Sequence, residues 1–237
     1  MMRQNFAGFT PEALLFLQEI KANNSKTWYT ANKSEYQRLL LRPFQDLVSD
    51  LSGAVLEIDP ELITTPAVDK TISRIYRDTR FSKDQSLYRD SMWLTFKRFD
   101  GAWQEAPAYF FEISPEGYRY GMGFYNTPKK YMDRFRELLA TQPEAFLQAL
   151  APLRQNRTFT VAGDCYRKVP ALEVQPEVRE WLKYKNFYFT SEHSEMDSLY
   201  TAELVGRLIA GFRELADVYQ YLWEIKRQVD SATYMGR

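Results

Sequence analysis

The sequence predicts an α+β fold: an antiparallel, aromatic-rich sheet covered by N-terminal and C-terminal helices. Three observations carry this. Apolar residues recur with a helical period at both ends of the chain. Three runs in the middle alternate with a period of two. The tetrad Ser114-Pro115-Glu116-Gly117 joins two of those runs through a turn tight enough only for antiparallel neighbours.

Thr10-Pro11-Glu12 opens the first helix, with a capping hydroxyl, proline at the first position and an acid near the positive helix end. Leu14, Leu15 and Leu17 form its apolar side, and Asn23-Asn24 stops it. Ser25 caps a second, long helix. Its apolar positions are Tyr29, Tyr36, Leu39 and Leu40, then Phe44, Leu47, Val48, Leu51 and Val55, with Pro43 as a break or kink between the halves. Residues 59–70, with Pro60 and Pro66, read as a loop. Met92, Leu94 and Phe96 make the first strand, Tyr109, Phe111 and Ile113 the second, and Tyr118, Tyr120, Met122 and Phe124 the third. Thr127-Pro128 starts a helix to about Ala140, and a short helix over 142–150 follows. Strands are expected over 157–161 and 186–190, with a helical turn over 176–183. A final helix begins at Asp197 or Ser198 and carries the stripe Leu199, Ala202, Val205, Leu208, Phe212, Leu215, Tyr219 and Leu222. The expected organisation is a single domain over 1–237: helical over 1–58, sheet-containing over 70–195, and closed by a C-terminal helix over 197–230.

Composition narrows the function classes. The 237 residues hold 31 basic and 31 acidic side chains, 45% hydrophobic residues and 16% aromatic ones, which are globular values. One cysteine, Cys165, excludes an intramolecular disulfide. One histidine, His193, excludes zinc sites built from several His or from Cys pairs. No apolar run approaches a membrane span and no signal peptide is visible, so a cytoplasmic protein with no membrane partner is expected. No motif calls for a cofactor. Zero net charge argues against a general nucleic-acid binder, yet charge is segregated along the chain. Residues 70–98 hold eight basic and three acidic side chains, whereas 100–116 hold four acids and no base.

The most informative run is Arg74-Ile75-Tyr76-Arg77-Asp78-Thr79-Arg80-Phe81-Ser82-Lys83-Asp84, followed by Tyr88 and Arg89. Guanidinium offers a rigid fork of donors suited to carboxylate or phosphate. In a helical or 3₁₀ turn, spacing three gathers Arg74, Arg77 and Arg80 on one side. In an extended segment Arg77 opposes the other two. Two readings stand side by side: a site for a small anionic or phosphate-bearing ligand, and an internal ion-pair network anchored by Asp78 and Asp84. In the first, Arg74, Arg77, Arg80, Lys83 and Arg89 supply charge, Tyr88 a hydroxyl, and Lys183 a second wall. Nucleic acid and a structural or protein-binding role are the alternative classes. Whether any reaction is catalysed stays open, because no general base can be named.

The same run resembles the signature stretch of an uncharacterised bacterial and fungal family, domain of unknown function 2461. Phe16-Leu17, Asn23-Asn24 and Lys26-Thr27-Trp28-Tyr29 are similar to the family's opening, where Asn-Asn precedes Trp-Phe. Gly121-Met122-Gly123 followed by Pro128 resembles its glycine-rich strand end, and Leu182-Lys183 before Lys185 its late Leu-Lys element. The chain departs from the family at Gln85-Ser86-Leu87, where a lysine-threonine-proline-like sequence is common. The resemblance covers nearly the whole chain and implies fold and boundaries, with no established activity.

Other candidates are weaker. Gly121-Met122-Gly123 lacks the third glycine of a dinucleotide fingerprint, since residue 126 is Asn, and reads more simply as a close backbone crossing. His193 falls in a polar stretch and is expected in an exposed loop. Cys165 beside Arg167 is expected to pack. Glu112, Glu116, Asp78 and Asp84 could form an acid/base pair or an oxygen-ligand metal site, although their spacing does not select this. Trp28, Tyr29, Tyr109, Tyr118, Tyr120 and Trp181 are expected in the core.

Overall fold

A computed structural model describes residues 4–81, 84–99 and 103–235. It is an α+β structure containing a five-stranded antiparallel sheet of order β1-β2-β3-β5-β4. The strands are β1 (Met92–Phe96), β2 (Pro107–Ser114), β3 (Gly117–Phe124), β4 (Thr160–Ala162) and β5 (Tyr188–His193). The chain forms two compact units, each drawn from three separate segments: Met1–Phe96, Phe110–Tyr120 and Glu192–Ala210 in the first, and Lys97–Tyr109, Gly121–Ser191 and Gly211–Arg237 in the second.

In the first unit, α1 (Pro11–Ala22) starts where Thr10-Pro11 predicts, but the Thr10 side chain makes no capping hydrogen bond. Ser25 does cap α2 (Lys26–Ala31), accepting from the Trp28 amide at 3.3 Å. The expected long helix is segmented into α2, α3 (Lys33–Tyr36) and α4 (Arg42–Ile58). Pro43 does not break it. A π-helical turn over Gln37–Leu41 widens the chain just upstream, with the Arg42 amide reaching back to the Gln37 carbonyl, which absorbs the amide that proline lacks. Phe44, Leu47, Val48, Leu51 and Val55 of α4 are all buried at helical spacing. Phe9, Phe44 and Phe111 pack ring to ring at 5.0–6.1 Å, joining the N-terminal segment, α4 and β2.

The second unit contains α5 (Lys129–Thr141), α6 (Pro143–Ala149) and α7 (Ala151–Asn156). Its aromatic core runs through Phe135, Phe146, Trp181 and Phe187, whose neighbouring centroids lie 4.8–5.2 Å apart. Thr127 is not the cap of α5. That position belongs to Pro128, and the Thr127 hydroxyl is buried with no partner. The strand expected over 157–161 starts only at Thr160, because Arg157 ends α7 in the left-handed conformation. The single C-terminal helix is a 3₁₀ turn over Asp197–Tyr200, then α8 (Glu203–Glu214) and α9 (Ala216–Met235), parted at buried Leu215 with neither glycine nor proline to mark the break. Gly123 lies against β5 so closely that a Cβ there would stand 2.2 Å from Tyr188 Cβ, which gives the Gly-x-Gly element its physical use.

Candidate functional site

The arginine run begins extended, over residues 73–77. Ser73 and Arg77 donate backbone bonds to Trp93 and Leu87, at 2.9 Å each, and Arg89 donates one to Ile75 at 2.8 Å, so residues 73–77 pair antiparallel with 87–93. Only Thr79–Phe81 turn as a 3₁₀ helix. Alternation therefore sets Arg74 and Tyr76 outward and Ile75 inward, with Arg77 half-buried on the side of Ile75.

Each of the three arginines meets a carboxylate. Arg74 Nε pairs with Asp69. Arg77 reaches Asp84 at 3.1 Å through Nη2 and Ser86 Oγ at 3.0 Å through Nε. Arg80 grips Asp78 with Nε at 3.0 Å and Nη2 at 2.7 Å, and its hydrogen bonds bring the Asp78 carboxyl down to about 2. Arg89 lays its guanidinium 4.7 Å from the Trp93 ring centre. Lys83 lies outside the described residues, and Lys183 belongs to the second unit.

Tyr88 is buried, and both its backbone polar groups are held by the Asn24 side-chain amide, at 2.9 and 3.0 Å. Its ring stacks on Tyr29 at 4.6 Å and meets Tyr76 at 4.9 Å, while Tyr36 closes on Tyr29 at 5.8 Å. Burial pushes the hydroxyls of Tyr29, Tyr36 and Tyr88 up, the last two to about 12, so all stay protonated donors at neutral pH. Tyr76, half exposed, carries this tyrosine cluster to the surface.

A cleft of about 590 Å³ opens elsewhere in the first unit, along the ends of β2, β3 and β5. Four carboxylates line it: Asp90, Glu112, Glu116 and Glu192. Hydroxyls come from Ser91, Ser114, Tyr118 and Ser194. Lys21 bridges to Asp90 at 2.7 Å and stands 4.0 Å from Glu116, and Arg119 holds Glu112 at 2.6 Å. The Lys21 ammonium keeps the Asp90 carboxyl below its ordinary value, and the Arg77 field adds to this. Glu192 has no ion-pair partner among the described residues.

His193 also lines the cleft. It is not in a loop: β5 runs on to include it, because its imidazole stacks flat on Tyr118 across the sheet, at 4.6 Å and 9°. Tyr120 continues the stack at 5.7 Å, and the Tyr118 hydroxyl is fixed by Ser198 Oγ at 2.7 Å. Burial, and then the positive charge of Arg207, lower the His193 pKa, so the ring is neutral at pH 7.

Residues 12–221 match the family described as a conserved hypothetical protein, DUF2461. The chain belongs to that family. No curated protein matches it. In this DUF2461 member residues 73–77 are an ion-paired ladder, and the cleft takes Asp90 from the segment paired with them. Sequence reasoning weighed Glu112 and Glu116 with Asp78 and Asp84, Tyr118 among the core aromatics, and His193 apart from all of them. It missed Lys21, Asp90, Arg119 and Glu192, which no common motif joins. The available signal was the alternation of Tyr118 and Tyr120, which marks one sheet face on which an aromatic partner can stack. Among the described residues no group of three or more His, Cys, Asp or Glu is placed to hold a metal ion, and no helix is long and apolar enough to cross a membrane.

Proposed function

We propose that this protein binds a small polar ligand bearing ammonium or hydroxyl groups in the cleft beside His193. The observation that carries this reading is the lining. Four carboxylates are met by two cations, Lys21 and Arg119, and hydroxyls supply the remaining polar surface. An anion entering there meets net negative charge, whereas a cationic or polyhydroxylated molecule finds acceptors in Glu116 and Glu192. The neutral imidazole adds an acceptor that is also able to take a proton. On this reading Arg74, Arg77 and Arg80 form an internal ion-pair network. A small anionic ligand held by them would have to outcompete Asp69, Asp84 and Asp78.

The test is a thermal-unfolding screen of amines, amino sugars and polyols beside phosphates and carboxylates. A hit from the first group should raise the midpoint. Glu192→Gln and His193→Gln should abolish that rise, and Arg80→Met should leave it intact. A hit among the phosphates or carboxylates that Arg77→Met removes would overturn the cleft assignment in favour of the arginines.

A further inference from the structure

A second charge cluster lies wholly within the second unit and plays no part in the cleft. Helix α5 carries Lys129, Asp133 and Arg136 at positions i, i+4 and i+7, which fall on one face. An extended segment, residues 164–166, pairs with 183–185: the Tyr166 amide donates to the Lys183 carbonyl at 2.8 Å and the Lys185 amide to the Asp164 carbonyl at 2.7 Å. This ladder holds Tyr166 against the charged face of α5. Arg136 Cζ stands 5.1 Å from the Tyr166 ring centre, and Lys185 Nζ stands 5.4 Å from the same centre.

The cations here outnumber the acids. The Arg136 side chain is 8% exposed; it donates to the Tyr184 carbonyl at 2.7 Å and reaches Asp133 at 3.3 Å. Its Nε is buried with no hydrogen-bond partner. Lys129 takes the same Asp133 at 2.6 Å and feels the fields of both Tyr166 and Arg136. Lys185 has no carboxylate partner among the described residues; Asp164, opposite it in the ladder, accepts at Oδ2 from the Asn186 side-chain amide at 3.0 Å. Lys183 shares the segment, with its Nζ 4.9 Å from the Tyr184 ring centre. The first turn of α5 has no side-chain cap, so its amide groups add positive potential at Lys129.

We infer that Lys129, Arg136 and Lys185 bind a phosphate-type dianion beside Tyr166. Asp133 and Asp164 against Lys129, Arg136, Lys183 and Lys185 leave the cluster with an excess of positive charge, which a dianion offsets. Two lysines on separate segments supply mobile point charges, while the buried guanidinium is fixed in place. The Tyr166 hydroxyl is a further donor.

The probe is inorganic phosphate, titrated against chloride at constant ionic strength, with the unfolding midpoint as the readout. Lys129 and Lys185 are exposed, so the Lys129→Met/Lys185→Met double variant keeps its core, and its midpoint in chloride reports folding independently. Phosphate should raise the wild-type midpoint, and the double variant should bind it roughly tenfold or more weakly. Arg77→Met/Arg80→Met in the first unit should respond like wild type. A wild-type protein indifferent to phosphate, or a double variant with an unchanged response, would overturn the assignment. Neither outcome bears on the cleft, whose variants lie in the other unit.

Discussion

The arginine ladder of the first unit and the Tyr166 cluster of the second are both cationic, and they differ in how many acids meet their cations. Arg77 and Arg80 are met by Asp84 and Asp78, a few residues away in the same run, and Arg74 by Asp69 just before it. The excess of bases over residues 70–98 is thus partly neutralised by local neighbours. The second cluster is assembled from residues 129, 136 and 185, remote in sequence, with Asp133 shared between two of them. A cation becomes available to a ligand through the acids within its reach, and a count of charges along the chain does not report that.

The largest effect that bears on this contrast is expected at Gly163, where φ is +153° and a Cβ would stand 2.1 Å from the Asn186 carbonyl oxygen. Gly163→Ala should lower stability by about 3 kcal/mol, read as a fall in the urea midpoint, because strain and a backbone clash coincide. It should also weaken phosphate binding, since this ladder carries Tyr166 and Lys185. Arg136→Met should cost about 2 kcal/mol, because it strips the donor from the buried Tyr184 carbonyl. Arg77→Met, at a side chain 20% exposed with a half-exposed acid, should cost about 1 kcal/mol. Arg80→Met, at a solvent-exposed fork, should lower the midpoint least of the four. If Arg77→Met cost as much as Arg136→Met, the ladder would be a stability element of the same rank as the buried cation, and the contrast would fail.

Titration gives smaller signatures, of the same sign in two different pH ranges. The folded-state pKa of Asp78 is depressed to about 2, so the unfolded chain binds its proton first as pH falls. Its contribution is present above about pH 4 and is lost as pH drops toward about 2. A carboxyl resonance titrating near 4 would show the Arg80 fork to be open in solution. His193 has the same sign at higher pH: its folded pKa lies below the ordinary value, so the unfolded chain takes up the proton while the folded chain resists. Stability should therefore fall as pH drops below about 6.5 and be unaffected above it. His193→Gln should flatten that slope. An imidazole titrating above 6.5 would place a charged ring in the cleft and reverse the expected preference for ammonium groups.

Much of the fold was legible because its signals are local. The Thr10-Pro11 start, the Ser25 cap, the alternating strands and the tight turn at 114–117 all depend on residues within a few positions. The misplacements share a cause. Thr127 does not cap α5, the helix after 197 divides at Leu215, and β5 continues to His193, each being settled by what packs alongside. The candidate cleft was legible only as separate residues. Lys21 comes from α1, Asp90 from the segment paired with residues 73–77 and His193 from β5, and no spacing along the chain joins them.

By itself, the sequence determined the fold class, the order of the elements and the extended or helical character of most segments, because hydrophobic period, capping and turn chemistry act over a few residues. Tertiary structure alone decided which charges cancel, which stay available and where an open cleft forms. Electrostatic pairing and enclosed space depend on distances between atoms, and residues far apart in sequence are brought within a few ångströms only when the chain has folded.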